Sequence, residues 1–334
     1  MRVALARNAW LRVVLVAVVV AAVVALVVWR GPRLDLLRDA FTLVRWDWVG
    51  LAFVLNLVSV AVRTLAWRTV IRQAMQPPHP RLRAIFSAFC VGLLANAVLP
   101  GRIGELARVA VLTRHLPTRR GEWATLAGTV FAHRVFDLAA ALVLVGWVLW
   151  VATVPAWALT SLTILVVIGV SLLVLGILGA RDPSRGIRQE LGAARRLVSM
   201  ARNGLGVMRE PLPAAVAILF QCAGWGLQLL AVYAAMRAFN IEEPLAAAGL
   251  VLVMMNVAMV FPLWPGNVGL VQAAVALSLL SYGIDYAHGF AFGIGLQAIE
   301  ASVGIGLGLA YTAREGLTLG TLRQFERPGA APPA

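Results

Sequence analysis

NAVLPGRIGELARVAVLTRH, residues Asn96 to His115, follows directly on an apolar run that begins at Ala84. A membrane helix about to end does not ordinarily meet Pro100-Gly101 and then Arg102, Glu105 and Arg108 within nine residues. Proline removes a backbone donor and clashes with the preceding turn, and glycine permits a sharp reversal. Basic residues lie on both sides of the run, Arg81 and Arg83 before it and Arg114, Arg119 and Arg120 after it. A single crossing would send one of these clusters to the outer face, against the positive-inside rule. The stretch therefore reads as a re-entrant hairpin that enters from the cytoplasm, breaks at Pro100-Gly101 and returns as a short helix to about Thr113. Such broken backbone is tolerated at membrane depth where protein or a polar cavity covers it.

The rest of the chain has the composition this requires. Of 334 residues, 61% are hydrophobic and 13% charged, and the mean hydropathy is +0.85, against roughly 25% charged residues in soluble domains. Apolar runs occupy 13–29, 49–66, 84–99, 123–151, 157–180, 214–235, 245–263, 268–280 and 287–311. The first follows Arg2, Arg7 and Arg12, but it is long and offers no small-residue cleavage site, so it reads as a retained helix and not a signal peptide. All 29 basic residues are arginine, which excludes P-loop and Schiff-base lysines and argues against ATP hydrolysis by this chain. The net charge of +14 sits in loops between apolar runs, the pattern of membrane topology and not of nucleic-acid binding. Cys90 and Cys222 fall inside apolar runs and predict no disulfide.

Arginine placement sets the topology. Arg63, Arg68, Arg72, Arg81 and Arg83 make the link after the second run basic and cytoplasmic; residues 181–209 and the tail with Arg314, Arg323 and Arg327 belong on the same side. The links at 153–156, 237–244 and 281–287 carry little positive charge and belong outside. Residues 245–280 then form a second hairpin, entering from outside and broken at Pro262, Pro265 and Gly266. Six full crossings remain, with both termini cytoplasmic. Pro100-Gly101-x-Ile103-Gly104 recurs as Pro265-Gly266-x-Val268-Gly269, 165 residues later, and the same shift carries crossing, hairpin and crossing onto their counterparts. The second crossing and its partner run in opposite directions across the membrane, so the predicted fold is an all-α polytopic membrane protein with about six transmembrane helices and two re-entrant hairpins in an inverted repeat. Such repeats with broken helices characterise many secondary transporters. The predicted organisation is 1–48, an N-terminal transmembrane anchor and external link; 49–152, the first half; 153–213, a connecting crossing and a basic interfacial helix or plain solvated linker; 214–312, the second half; and 313–334, a cytoplasmic, disordered tail.

Within the predicted membrane zone the ionisable residues are Arg102, Glu105, Arg108, His133, Arg134, Asp137 and Glu300. Each costs roughly 2.5 to 3.5 kcal/mol at a helix centre on insertion scales. Arg134 and Asp137, and Glu105 with Arg102 and Arg108, are spaced to share helix faces. Two readings stay open: these pairs neutralise one another and pin helices together, or they form a site. Arg102, Arg108 and Arg134 against Glu105 and Asp137 leave one positive charge over, a vacancy suited to a phosphate, which arginine's planar fork holds in bidentate fashion. Asn267 and Gln272 are the polar residues of the second hairpin, and Glu300 is either a proton site or a partner for an arginine of the other half. Asn56 and Gln221 read as cross-helix hydrogen-bonding residues, and Gly289, Gly293, Gly304 and Gly308 as close-packing positions. The scattered histidines offer no metal-ligand spacing.

Three motifs, Asn96-x-x-x-Pro100-Gly101-Arg102-x-Gly104-Glu105-x-x-Arg108, His133-Arg134-x-x-Asp137 and Pro262-x-x-Pro265-Gly266-x-x-Gly269, resemble the lysylphosphatidylglycerol synthase transmembrane region, a family of flippase-like membrane proteins. The resemblance covers roughly 49–312. It implies movement of a lipid with an anionic or modified headgroup, such as a phospholipid or a polyprenyl-phosphate-linked lipid, between leaflets. Family members that make aminoacylated phosphatidylglycerol carry a large soluble domain after the membrane part. Only 22 residues follow Thr312 here (334 − 312), so translocation without synthase activity is expected. The family's second Pro-Gly motif usually leads to a glutamate, where this chain has Gln272. The expected substrate site comprises Asn96, Pro100, Gly101, Arg102, Gly104, Glu105, Arg108, Arg134, Asp137, Pro265, Gly266, Asn267, Gly269, Gln272 and Glu300, with no cofactor, metal or nucleic acid. Expected partners are anionic membrane lipids, with a second copy or a separate lipid-modifying enzyme as protein partners, in the cytoplasmic membrane. The competing classes are an ion-coupled transporter of a small solute and an integral-membrane enzyme acting on a lipid phosphate.

Overall fold

Long runs of residues that are apolar on every face can bury themselves only in a protein core or in lipid, and helices satisfy their own backbone there. The computed structural model describes residues 41–98, 104–116, 122–181, 211–260 and 265–317. Among these the chain is helical, without strands: α1 (Trp46–Ala74), α2 (Leu82–Val98), α3 (Gly104–Thr113), α4 (Glu122–Val151), α5 (Ala156–Arg181), α6 (Pro211–Ala238), α7 (Leu245–Ala258), a 3₁₀ turn (Pro265–Asn267), α8 (Leu270–Leu279), a second 3₁₀ turn (Leu280–Tyr282) and α9 (Tyr286–Arg314). Four of them, α1, α4, α6 and α9, are long and apolar enough to cross a membrane. The protein is a multi-pass membrane protein. The first apolar run, the breaks at 99–103 and 261–264, the basic segment 182–210 and the tail beyond 317 lie outside the described residues.

A shift of 165 carries α1 onto 211–239, α2 onto 247–263, α3 onto 269–278 and α4 onto 287–316, against the observed 211–238 for α6, 245–258 for α7, 270–279 for α8 and 286–314 for α9. The halves meet chiefly through α1 and α6, the most extensive helix pair in the molecule. Arg45 N donates to Ala238 O at 2.9 Å near one end, and Ser59 Oγ donates to Gly224 O at 2.8 Å near the middle. As residue numbers rise along α1 they fall along α6, so the two equivalent helices are antiparallel. Ser59 with Gly224, and Arg63 with Gln228, are each residue-to-counterpart contacts 165 apart, the mark of positions on a two-fold axis. Each half also lends its hairpin to the other: α2 packs on α9, and α7 on α4.

The hairpin arms have 17, 10, 14 and 10 residues. At about 1.5 Å per residue none reaches the roughly 30 Å of a bilayer core. The arms of the first hairpin close on glycine: a Cβ at Gly104 would lie 2.2 Å from Gly92 O. In the second, Gly266 (φ 69) and Gly269 (φ 92) occupy the left-handed region, where a Cβ is unfavourable, and Gln272 Oε1 accepts from Gly269 N at 2.5 Å to start α8.

One expectation is corrected. α1 does not stop near residue 66 but continues to Ala74, so Arg63, Arg68 and Arg72 stand on the helix and not in a link. Trp67, Val70 and Ile71 are buried between these arginines, and arginine is itself a good helix former. Trp147 packs against Gly249 of α7, whereas Trp46 and Trp150 stay exposed. Close packing holds at Gly289, Gly293 and Gly308, which press on Ala276, Gln272 and Leu94, while Gly304 has room beside it.

Candidate functional site

Polar side chains from α1, α2, α3, α4, α6 and α9 converge on one cavity of about 220 Å³, floored by Asn56, Ser59 and Arg63 of α1 and walled by Asn96, Arg108, His133, Arg134, Asp137, Gln228 and Glu300. It lies at mid-depth: Glu300 stands fourteen residues from either end of α9, and Asp137 fifteen and fourteen from the ends of α4. Asp137 is the hub. Its Oδ1 accepts from Trp225 Nε1 at 3.0 Å and faces Arg63 at 3.8 Å, while its Oδ2 accepts from Arg134 at 3.4 Å. The other branch of the Arg134 fork donates to Glu105, so one guanidinium joins the first hairpin's return helix to α4. Arg63 also lies 4.8 Å from the Trp225 ring centroid and donates to Gln228 Oε1 at 2.7 Å; Gln228 Nε2 in turn donates to Glu300 at 3.1 Å.

Arg108 differs from its neighbours. It is 3% exposed, its guanidinium stacks 3.9 Å from the Phe89 ring centroid, and its Nε has no hydrogen-bond partner. Among the described residues no carboxylate pairs with it. The neighbouring buried His133 Nδ1 and Arg63 Nε also lack partners. Arg108 is held there because its stem runs over Gly92, where any Cβ would fall 2.4 Å from Arg108 Cγ, and because Asn96 Oδ1 accepts from Gly104 N at 2.8 Å and fixes the start of α3.

The mouth of the cavity is at Arg134, whose side chain is 45% exposed. Leu106, next to Glu105, and Phe131, one helical turn before Arg134, are 42% and 48% exposed. Exposed apolar side chains thus neighbour Glu105 on α3 and Arg134 on α4 in sequence.

A sequence profile of the lysylphosphatidylglycerol synthase TM region matches residues 13–308, most of the chain. The chain belongs to that family. No curated protein and no solved structure matches it.

Of the residues expected at the site in this family member, the cavity brings together Asn96, Arg108, Arg134, Asp137 and Glu300, with Glu105 bonded to Arg134 and Gly104 supporting the hairpin. Pro100, Gly101 and Arg102 lie outside the described residues. Pro265, Gly266, Asn267, Gly269 and Gln272 are not in its lining. Elsewhere Gln272 donates to Gln297 and Gln297 to Gly266 O, while Asn267 Nδ2 donates to Ala258 O at 2.8 Å. Arg63 and Glu300 join the charges expected at the site, so that among the described residues three guanidiniums meet three carboxylates, while Arg102 lies outside the described residues. The expected pairing of Glu300 with an arginine of the other half is indirect, through Gln228. Arg63, Ser59, Phe89 and Gln228 were not expected at the site. Aligning the halves would have signalled two of them, since Arg63 and Gln228 are polar at equivalent positions of apolar runs.

Proposed function

We propose that this protein moves a lipid with an anionic phosphate headgroup between the leaflets of the cytoplasmic membrane. The observation that carries the reading is Arg108, a buried cation with a free Nε and no carboxylate partner among the described residues, facing a cavity at mid-span. A buried charge is retained only where something compensates it, and a phosphate oxygen is the acceptor arginine serves best. The cavity is smaller than the roughly 300 Å³ at which pockets begin to enclose drug-sized ligands, so it suits a headgroup and not acyl chains. The exposed Leu106 and Phe131, neighbours of Glu105 and Arg134 in sequence, would let chains stay in lipid while the headgroup sits inside.

In this reading Arg108 binds the phosphate, Arg134 meets it at the mouth, and Glu105 and Asp137 orient the Arg134 fork. The two hairpins enter from opposite faces, the halves being inverted as α1 and α6 are antiparallel, and their alternation passes the headgroup across the midplane. Both termini face the cytoplasm, on the arginine distribution. Neither ATP hydrolysis nor a covalent step is required of this chain.

The test is leaflet exchange of headgroup-labelled phosphatidylglycerol in liposomes holding the purified protein, beside an Arg102→Gln/Arg108→Gln double variant. Exchange that is fast for the wild type and lost in the variant supports the reading. Unchanged exchange in the variant overturns it, and saturable uptake of free glycerol phosphate without lipid exchange would assign the site to a soluble anion.

A further inference from the structure

Glu300 is the one carboxylate of the cavity with no ion pair among the described residues. It projects from the midpoint of α9, and its single hydrogen bond among the described residues is the one that its Oε1 accepts from Gln228 Nε2 at 3.1 Å. The Gln228 amide is held in that sense, because its Oε1 is already occupied by Arg63 at 2.7 Å. Five charged or titratable side chains share the cavity with Glu300: Arg63 from α1, Arg108 from α3, and His133, Arg134 and Asp137 from α4. Arg63 and Arg134 are engaged by Asp137, and Arg134 also by Glu105. That leaves Arg108 and Glu300 as the unpaired cation and unpaired anion of one small space.

The described site is therefore neutral while empty, with Arg63, Arg108 and Arg134 against Glu105, Asp137 and Glu300. A phosphodiester arriving at Arg108 adds one negative charge, and leaving that charge uncompensated away from bulk water costs several kcal/mol. Protonating Asp137 or Glu105 would break their arginine pairs. Protonating Glu300 breaks none, since Oε1 keeps its bond from Gln228 in either state.

We propose that Glu300 takes up one proton each time the site takes an anionic headgroup, so that lipid and proton move together and the loaded site stays neutral. This rests on the lipid reading above. A hydronium ion at the mouth gives its proton to Oε2: one of its O–H bonds breaks as the carboxylic O–H forms, neutral water is left, the carboxylate charge is lost, and no covalent bond of the lipid changes. The acid then donates its O–H to a phosphate oxygen that the carboxylate would have repelled. When the headgroup leaves, the proton returns to water on that side. Linkage makes the effect reciprocal: lower pH tightens headgroup binding by as much as the headgroup favours the proton.

The experiment is calorimetric titration of the full chain in detergent with short-chain phosphatidylglycerol, whose phosphodiester keeps its charge across the pH range used, in two buffers of different protonation enthalpy. The wild type should take up close to one proton per lipid bound, with affinity falling by up to about tenfold per pH unit as pH rises. Glu300→Gln should bind with no proton uptake and no pH dependence, whereas Glu300→Asp and His133→Gln should retain the uptake. Wild-type binding without proton uptake overturns the proposal while leaving the lipid reading intact and places the compensating charge on a permanent cation such as Arg102, and uptake that persists in Glu300→Gln overturns it by placing the proton on another titratable residue. Uptake lost in His133→Gln and kept in Glu300→Gln overturns it in favour of the imidazole. A wild type that binds no phosphatidylglycerol removes both readings together.

Discussion

Replacing Arg108 by glutamine should separate binding from stability, because the two consequences have opposite signs. On the stability side the variant loses the stack on Phe89 at 3.9 Å, about 2 kcal/mol for a desolvated cation–π pair. It also removes a cation that is 3% exposed and has no paired carboxylate among the described residues, whose burial costs several kcal/mol. The protein should unfold in detergent at the same temperature as the wild type or higher. On the binding side it loses charged hydrogen bonds to phosphate worth about 1.5 to 3 kcal/mol, so phosphatidylglycerol affinity should fall roughly 10- to 150-fold. Arg63→Gln supplies the contrast. It leaves Asp137 short of one of its two cations, and breaking a buried pair costs about 3 to 5 kcal/mol. Thermal unfolding and lipid titration on the three proteins decide the matter. If Arg108→Gln unfolds earlier than Arg63→Gln while its lipid affinity is unchanged, Arg108 is a packing residue and the reasoning fails.

Leu93 and Gly304 offer a direct probe of how α2 meets α9: a Cβ at Gly304 would lie 4.0 Å from Leu93 Cβ, inside the range of about 3.5 to 4.5 Å that disulfides require. With Cys90 and Cys222 changed to serine, a Leu93→Cys/Gly304→Cys protein should cross-link under oxidant and stop exchanging lipid until reduced; absence of the cross-link would rule out this packing. Gly104→Ala should cost about 1 to 3 kcal/mol of stability, because its Cβ would press on Gly92 O and Asn96 Oδ1 at 2.2 and 2.5 Å, and an unchanged unfolding temperature would count against the hairpin's closure. Glu315 accepts from Ser87 at 2.5 Å and pairs with His115 at 2.9 Å, tying the end of α9 to both arms of the first hairpin. Glu315→Ala should therefore speed hydrogen exchange in α3 and leave α6 as it was; equal exchange in both proteins would show that the tie bears no load.

The helices were legible because their cause is local. Each long apolar run can satisfy its backbone only within itself, and the 165-residue echo of Pro-Gly-x-[Ile/Val]-Gly located the halves to within a few residues of the observed helices. Arg63 was misread for an equally local reason: charge next to the end of an apolar run looks like a link. What keeps α1 going is Trp67, Val70 and Ile71 buried against neighbours distant in sequence. The second Pro-Gly motif misled in the other direction. It has the same Pro-Gly residues as the first, but Gln272 closes on Gln297 and Asn267 on Ala258 O, and neither lines the cavity.

The sequence by itself determined the class of the protein, its long apolar helices and the family, since these follow from composition, periodicity and motif spacing. Only the tertiary structure decided which charges meet. Arg63 reaches Asp137 from another helix, Gln228 stands between Arg63 and Glu300, and Arg108 alone among the site's described cations is left without a carboxylate. Those relations depend on the antiparallel packing of α1 on α6 and on hairpins packed across the halves. Coulomb energies act over a few ångströms of space, and no spacing along the chain encodes them.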